Sequence, residues 1–353
     1  MMDAERAARL APTDSGQADD SSRDRLLARK TWVRAAISLV LAVSIAVFGI
    51  WRLDIDLETV FAQILRAQPV FLAGALAAYY GAMPLRAWRW RVILENSDTA
   101  PDLSNRLPGL PGLLRIYLLG WLVNCLLPAK LGEVYRTYLL KRQSGIRLSS
   151  TFGTVIAERA SDLLALTTLF IASGAVVFGG RLTATVGNWV EWALLLALSV
   201  AFALGAGYAL RDRFGRLLPA GVRQIYWGLQ QGIFGSAGRL PAIAGLTAII
   251  WSLEGVRFYA AARAVDVSLP LSAALLAALL ASLLTTVPMT PAGVGVVETG
   301  VVGLLLLLGV SESSAVSVAI LDRLVAYWSV LLVGPPIWVY SRWRSLQHDA
   351  CRA

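Results

Sequence analysis

Three charged side chains within one apolar run constrain the fold of this chain more than any other feature. Residues 149–178 form a stretch long enough to cross a bilayer, and Glu158, Arg159 and Asp162 lie near its middle. A charge that faces lipid at that depth costs roughly 2.5–3.5 kcal/mol or more. Glu158 and Asp162 share a helix face, with Arg159 beside them. We therefore predict that this face is turned toward protein or toward a polar cavity.

The composition predicts an all-α polytopic membrane protein. Hydrophobic residues make up 57% of the 353 residues and charged residues only 16%, which is outside the range of soluble domains. Membrane helices are predicted at about 31–51, 69–90, 149–178, 188–210, 240–264 and 313–340. The net charge of +9 could suggest a nucleic-acid partner, but the arginines lie between apolar segments, where they orient a membrane protein.

Several kinds of chemistry are disfavoured by the residues that the chain lacks. Its single histidine, His348, lies in the C-terminal tail, and Cys125 and Cys351 have no spaced partners. A metal site, a disulfide framework and histidine catalysis are therefore not expected. There is no ATP-binding loop of the Gly-x-x-x-x-Gly-Lys-Ser/Thr type. We predict no cofactor, no nucleic-acid partner and no enzymatic activity.

Two further apolar regions are interrupted by proline and glycine. Region 113–142 is broken between Pro128 and Gly132, and region 271–310 between Pro288 and Gly295. Basic residues flank the first region on both sides, so the rule of positive cytoplasmic loops makes it a re-entrant hairpin from the cytoplasmic side. By the same count the second hairpin enters from the outer side. The prediction is six full spans plus two opposed hairpins, about eight membrane helices, with both termini cytoplasmic in the inner (cytoplasmic) membrane.

This topology divides the chain into a disordered cytoplasmic tail (1–30), a membrane domain (31–341) and a short cytoplasmic tail (342–353). Three smaller assignments accompany it. Segment 52–68 is predicted to lie outside, residues 213–236 to form an amphipathic helix at the inner interface, and Trp88-Arg89-Trp90-Arg91 to be an interfacial anchor.

The second broken region repeats the order of the first. Gly132-Glu133 precedes Glu158-Arg159 as Glu298 precedes Asp322-Arg323, and the acids are 25 and 24 residues apart. The repeat units are about 69–178 and 240–340. Hairpins that enter from opposite faces make these units inverted repeats, an architecture that transporters use around a central site. Coincidence is the alternative for a single sequence.

The charged and polar residues of the two units are the candidate site, and two interpretations of them stay open. In the first, each acid–arginine pair is a structural clamp, as Glu254 and Arg257 are expected to be. In the second, cations engage a phosphate and acids orient them or carry protons, since arginine suits phosphate as well as carboxylate. Asn124 is interpreted as a hydrogen-bonding strut or a substrate contact, and the Gly132 end of a half-helix as an anion site. The candidate residues are Asn124, Lys130, Gly132, Glu133, Arg136, Glu158, Arg159, Asp162, Glu298, Asp322 and Arg323.

Four runs carry a family resemblance over roughly residues 30–341: NCLLPAKLGEVYR, ERASDLL, VPMTPAGVGVVE and LDRLVAYW. They resemble the membrane region of lysylphosphatidylglycerol synthases and related flippase-like membrane proteins. The family's Gly-Glu and Glu-Arg positions map onto Gly132-Glu133 and Glu158-Arg159, whereas Lys130 stands where many relatives have arginine. The resemblance implies lipid translocation by a member that lacks the soluble aminoacyltransferase domain. Similar regions accompany polyprenyl-lipid glycosyltransferases.

The leading hypothesis is therefore translocation, by flipping or scrambling, of a phosphate-bearing lipid through a polar midplane cavity. A phospholipid and a polyprenyl phosphate are both candidate lipids. The first alternative is a non-catalytic membrane partner of an enzyme that makes envelope lipids or glycolipids. A membrane-embedded transferase is the second alternative. Whether the chain forms a homo-oligomer is left open.

Overall fold

The computed structural model describes residues 56–97, 103–127, 130–179, 184–285 and 293–350, and all regular elements in these residues are helical. The helices are α1 (Leu57–Leu65), α2 (Pro69–Glu95), α3 (Leu103–Arg106), α4 (Leu110–Leu126), α5 (Leu131–Ser144), α6 (Leu148–Phe178), α7 (Ala184–Ala209), α8 (Arg211–Leu217), α9 (Ala220–Phe234), α10 (Leu240–Ala264), α11 (Leu271–Leu284), α12 (Val296–Leu307), α13 (Glu312–Arg323) and α14 (Ser329–Ala350). A 3₁₀ turn at Ala237–Arg239 precedes α10, and a π-helical turn at Leu324–Trp328 joins α13 to α14.

Five helical stretches in the described residues are long and apolar enough to cross a membrane: Pro69–Glu95, Leu148–Phe178, Val190–Ala209, Ala220–Ala264 and Glu312–Ser341. Three shorter apolar helices, α4, α11 and α12, accompany them. The chain is thus a polytopic helical membrane protein, as predicted. The predicted first membrane helix (31–51), the N-terminal tail, Pro128 and the break at 288–291 lie outside the described residues, as do residues 351–353.

Two helix boundaries differ from the predictions for local reasons. Helix α2 continues five residues past the predicted end at residue 90, to Glu95, because the arginines near its C-terminus are bonded inside the protein. Segment 52–68, for which only a position outside the membrane was predicted, contains α1. The Asp56 carboxylate caps α1 by accepting from the backbone N–H of Glu58 (3.0 Å) and Thr59 (3.3 Å).

The order of helices α2, α4, α5 and α6 recurs in α10, α11, α12 and α13–α14. In each set a long helix is followed by two short helices and another long one. The first long helices, α2 and α10, pack against each other, and each short pair, α4–α5 and α11–α12, is in contact. The sets also exchange contacts, since α11 packs against α6 and α4 against α14. We call the first set unit 1 and the second unit 2.

The apolar core has two parts, each of which is drawn mainly from one unit and includes a few residues of the other. In one, Phe258 of α10 packs with Leu276 of α11 and Leu305 of α12. In the other, Trp90 of α2 packs with Ile116 of α4 and other residues of the short pair α4–α5. The charged side chains described below lie where these two parts meet.

The amphipathic helix predicted at 213–236 corresponds to α8 and α9. Helix α9 packs along the beginning of α6. A Cβ atom built on Gly153 would lie 2.8 Å from the Cα of Gly232, so the two backbones nearly touch. The position of α9 relative to the membrane surface stays a prediction.

Candidate functional site

A cavity of about 400 Å³ lies between units 1 and 2. Its walls combine apolar side chains with the rings of Tyr79, Trp121, Trp251 and Tyr327. The charged side chains in its walls are Arg86, Lys130, Glu133, Arg159, Asp162, Glu254, Arg257, Asp322 and Arg323. Charged groups this far inside a membrane protein are typical of a polar path or binding site.

Unit 1 supplies all members of one group of ion pairs, which we call the first charge network. Its members are Arg89, Glu133, Arg136, Glu158, Arg159 and Asp162. Arg89 of α2 is fully buried and donates two hydrogen bonds to the Asp162 carboxylate, with Nη1–Oδ1 and Nη2–Oδ2 distances of 2.6 and 3.1 Å. It also donates to Thr247 Oγ1 of α10, 2.8 Å away. Arg89 therefore ties both long packed helices to α6.

Glu158 is at the centre of the first charge network and is 0% exposed. Its carboxylate accepts from Arg136 Nη2 (2.8 Å), Arg159 Nη2 (2.7 Å) and the Tyr117 hydroxyl (2.9 Å), and Arg89 Nη2 lies 3.3 Å away. Buried carboxylates are retained when they are paired and hydrogen-bonded in this way.

Arg136 of α5 is held by aromatic rings as well as by Glu158. Its guanidinium carbon lies 4.8 Å from the ring centre of Trp90 and 4.9 Å from that of Tyr117. Cation–π contacts of this kind favour a desolvated arginine. Arg136 does not line the cavity, so it supports the wall from behind.

Unit 2 supplies most of the second charge network. Its members are Arg86, Glu254, Arg257, Glu298, Asp322 and Arg323. Glu254 accepts from Arg86 Nη2 of unit 1 at 2.5 Å and from Arg257 Nε at 2.8 Å, and Arg257 also pairs with Asp322. The Arg86–Glu254 pair connects the two units directly.

Aromatic side chains fix Arg86 in the wall of the cavity. Its guanidinium carbon is 5.1 Å from the Trp121 ring centre and 5.6 Å from that of Trp251. Trp121 Nε1 donates to the Tyr79 hydroxyl (2.8 Å), which donates to the carbonyl oxygen of Ala326 in the π-helical turn (2.9 Å). The π-helical turn is therefore bonded to unit 1 next to the cavity.

Glycine lets the short helices of unit 1 cross in direct backbone contact. A Cβ on Gly132 would lie 1.8 Å from the carbonyl oxygen of Gly120, a separation that no side chain allows. The Gly132 N–H donates to Asn124 Oδ1 at 2.8 Å. Asn124 thus acts as the predicted strut at the beginning of α5, and it also lines the cavity.

Each unit has an equivalent ion pair that joins its second short helix to the long helix that follows. In unit 1 Arg159 Nε lies 3.3 Å from Glu133 Oε1, and in unit 2 Arg323 Nε lies 2.9 Å from Glu298 Oε1. Glu298 also accepts from the N–H of Gly295, whose φ of +87° lies in the left-handed region. The pairs match the order of residues that the sequence repeats.

Lys130 differs from the other cations of the site. Among the described residues it has no carboxylate partner within 4.0 Å, whereas each arginine of the two charge networks has one within 2.9 Å. Its backbone is left-handed (φ 52°, ψ 37°) at the position preceding α5, a conformation rare for a residue with a side chain. The half-buried side chain lines the cavity.

The predicted site residues are brought together, but they occupy two layers. Those that line the cavity are Asn124, Lys130, Glu133, Arg159, Asp162, Asp322 and Arg323. Those that lie behind its wall, bonded to lining residues or to the backbone, are Gly132, Arg136, Glu158 and Glu298. Whether they bind substrate stays a prediction.

The interpretation of Trp88-Arg89-Trp90-Arg91 as an interfacial anchor is wrong for its two central residues. Arg89 and Trp90 are both 0% exposed, while Trp88 is half exposed. Arg86, one of the basic residues that by position in the sequence would flank the first broken region on the cytoplasmic side, is instead buried against Glu254. The sequence does hold an indication of this burial: Arg86 and Arg89 are three residues apart and so lie on one face of the helix.

The carboxylates of this site are bonded to arginines. In the described parts of the chain no three His, Cys, Asp or Glu side chains converge as metal ligands. What the arrangement offers chemically is a polar space with fixed charges, aromatic walls and a small number of hydrogen-bonding groups, which suits recognition of a polar ligand.

Comparison with known proteins gives one family and several relatives. Residues 36–334 match the family described as Lysylphosphatidylglycerol synthase TM region. A UPF0104 membrane protein of Methanocaldococcus jannaschii is 31% identical over 213 residues, which is 60% of this chain and 91% of that protein. A UPF0104 membrane protein of Methanothermobacter thermautotrophicus is 26% identical over 336 residues, covering 85% of this chain and 92% of that protein. The glycosyltransferase AglD of Haloferax volcanii is 26% identical over 359 residues, covering 88% of this chain but 54% of that protein.

Proposed function

Since the chain belongs to the Lysylphosphatidylglycerol synthase TM region family, we propose that it translocates a phosphate-bearing lipid across the cytoplasmic membrane. The observation that carries this proposal is the charged cavity between the two units. A headgroup needs a polar space inside the bilayer, because leaving its charge in hydrocarbon is costly. The acyl tails stay in the surrounding lipid.

The paired units support a mechanism in which the headgroup is reached from both membrane faces in turn. In this proposal α4–α5 and α11–α12 are the two opposed re-entrant hairpins, and six full spans complete the inverted repeat. Units that exchange contacts, α4 with α14 and α11 with α6, can rock against each other while the cavity between them is kept. Arg159 and Arg323 line that cavity at equivalent positions, so each would meet the headgroup from its own unit.

The test is lipid exchange in proteoliposomes. Purified protein is reconstituted with tail-labelled fluorescent phospholipids or a labelled polyprenyl phosphate, and an impermeant quencher reports the outer leaflet. Wild type is expected to expose inner-leaflet label faster than empty vesicles. Arg159→Gln and Arg323→Gln are expected to slow this exchange, because both remove a charge from the cavity wall.

A matched control separates the cavity from general loss of an arginine. Arg91→Gln removes an arginine whose partner, Glu95, is partly exposed on α2, and its exchange rate should equal that of wild type. Each variant is first shown to be monodisperse and folded. Unchanged exchange in folded Arg159→Gln and Arg323→Gln would remove these residues from the proposed path.

The alignment with AglD favours a second candidate function. This chain aligns with about half of a longer protein named as a glycosyltransferase. A related region on a separate chain could hold an enzyme of lipid or glycolipid synthesis in place without moving lipid. This candidate predicts no exchange for any lipid tested, together with stable co-purification of such an enzyme. A transferase activity of the chain itself would require product formation by the purified protein.

A further inference from the structure

The positive and negative side chains around the cavity are not equal in number. The first charge network has three arginines and three acids, and the second charge network has the same numbers. Each network is therefore neutral in itself. Lys130 is the one further charged side chain among the described residues that line the cavity. With every acid counted as −1 and every base as +1, the described residues of the site sum to one net positive charge.

Two undescribed stretches directly follow lining residues along the chain, after Leu127 and after Thr285, and neither adds a charge to this sum. Residues 128–129 and 286–292, which lie outside the described residues, read Pro-Ala and Thr-Val-Pro-Met-Thr-Pro-Ala and contain no ionisable side chain. Within the part of the chain that the structure describes, the surplus charge thus belongs to Lys130.

An incoming phosphate meets very different costs at the arginines and at the lysine. Each arginine of the two networks has a carboxylate within 2.9 Å that already offsets its charge, so a phosphate that bonds the arginine must share it with that carboxylate. Lys130 has no carboxylate to lose. Its ammonium is a compact charge with three donors, which suits a phosphate oxygen. The left-handed backbone at Lys130 holds this residue at the end of the hairpin rather than along a helix face.

We propose that Lys130 is the specificity-determining residue of the site and that the cavity selects headgroups with one net negative charge. The substrate class is a lipid phosphodiester whose other substituent is uncharged, such as an alcohol or a sugar. A single negative charge makes the cavity neutral. A zwitterionic headgroup leaves it at +1, and a phosphomonoester with two charges makes it negative. The inference rests on the proposed function, because it names the lipid that the same cavity would move.

Exchange assays with three headgroups test the selectivity. The probes are tail-labelled phosphatidylglycerol, phosphatidylcholine and phosphatidic acid in vesicles of one composition at pH 8. Wild type should move phosphatidylglycerol at least about 10-fold faster than the other two, a ratio that corresponds to one tenfold step in binding. Lys130→Gln should lose this preference, and Lys130→Glu should favour a lipid with a cationic headgroup instead.

Two variants control for effects that are not specific to this charge. Lys130→Arg keeps the charge and should keep the preference. Lys141→Gln removes an exposed lysine of α5 and should behave as wild type. Equal rates for all three lipids in wild type, unchanged by Lys130→Gln, would overturn the inference while leaving translocation itself established.

A binding measurement separates the two proposals if no lipid moves. Short-chain dihexanoyl phosphatidylglycerol and phosphatidylcholine are added to detergent-solubilised protein, and thermal stabilisation is recorded. The inference predicts stabilisation of wild type and Lys141→Gln by the anionic lipid alone, and none of Lys130→Gln. Selective binding without exchange would reject translocation and keep the role of Lys130. Equal stabilisation by both lipids, or by neither, would reject the role of Lys130.

Discussion

Replacing Arg89 by glutamine tests whether a buried charge network holds the two units together. Arg89 is fully buried and donates to Asp162, Glu158 and Thr247. In Arg89→Gln the first charge network keeps three acids but only two arginines, so one negative charge is left uncompensated. Breaking a buried ion pair from one side costs about 3–5 kcal/mol. At 1.4 kcal/mol for each factor of ten, the ratio of folded to unfolded protein falls by roughly 10² to several 10³-fold.

The same helix supplies the control. Arg91 bonds Glu95 at 2.7 Å, but these side chains are 32% and 35% exposed, and an exposed pair four residues apart contributes about 0.3–0.5 kcal/mol. Unfolding is followed by circular dichroism while SDS is titrated into mixed micelles. We expect a large shift for Arg89→Gln and almost none for Arg91→Gln.

A second substitution shows whether Arg89→Gln destabilises the protein through the uncompensated charge or through lost packing. Arg89→Gln combined with Asp162→Asn returns the first charge network to neutrality, so the double variant should lose less stability than the two single variants summed. A coupling of about 0.5–3 kcal/mol is expected for groups in one network. Additive losses, or equal curves for Arg89→Gln and Arg91→Gln, would refute the reasoning.

Two further predictions concern the short helices and α1. Gly132→Ala should abolish folded protein, because the added Cβ has no room beside the carbonyl oxygen of Gly120. Gly303→Ala is the control and should be tolerated, because nothing lies within 4 Å of the Cβ that it adds. Size-exclusion profiles of the two variants test this difference. The Thr59 hydroxyl, which donates to Asp56, and nearby backbone amides lower the pKa of Asp56 below its ordinary value of 3.8. The cap therefore stabilises α1 at pH values above the pKa that Asp56 has in the unfolded chain. This stabilisation is lost as the pH falls through the lower pKa that Asp56 has in the folded protein. Amide exchange in α1 should differ between wild type and Asp56→Ala at pH 6 and converge by pH 2; a difference unchanged with pH would contradict this.

The apolar runs and the broken regions could be read from the sequence because they depend on local composition. Runs of about twenty apolar residues have few alternatives to a membrane helix. The candidate site was found in part for a similar reason, since Glu158, Arg159 and Asp162 are costly anywhere except against a partner.

The partners of these charged residues could not be predicted from the neighbouring sequence. Arg89 bonds Asp162, which is 73 residues away, and Arg86 bonds Glu254, which is 168 residues away. A tryptophan–arginine run looks the same whether it lies at a membrane interface or inside a bundle. The surplus charge of Lys130 also depends on matching each arginine of the two charge networks with an acid, which requires the three-dimensional arrangement.

The pairing of Arg86 with Glu254 has a consequence for synthesis of the chain. The ribosome must add 168 residues after Arg86 before its partner exists, which takes about 8–34 s at 5–20 residues per second. During that interval α2 carries a positive charge that the bilayer interior does not accept. We infer that α2 waits beside the insertion machinery, or with this end near the headgroups, and moves to its final depth only when α10 emerges. Insertion of the first half therefore depends on the second.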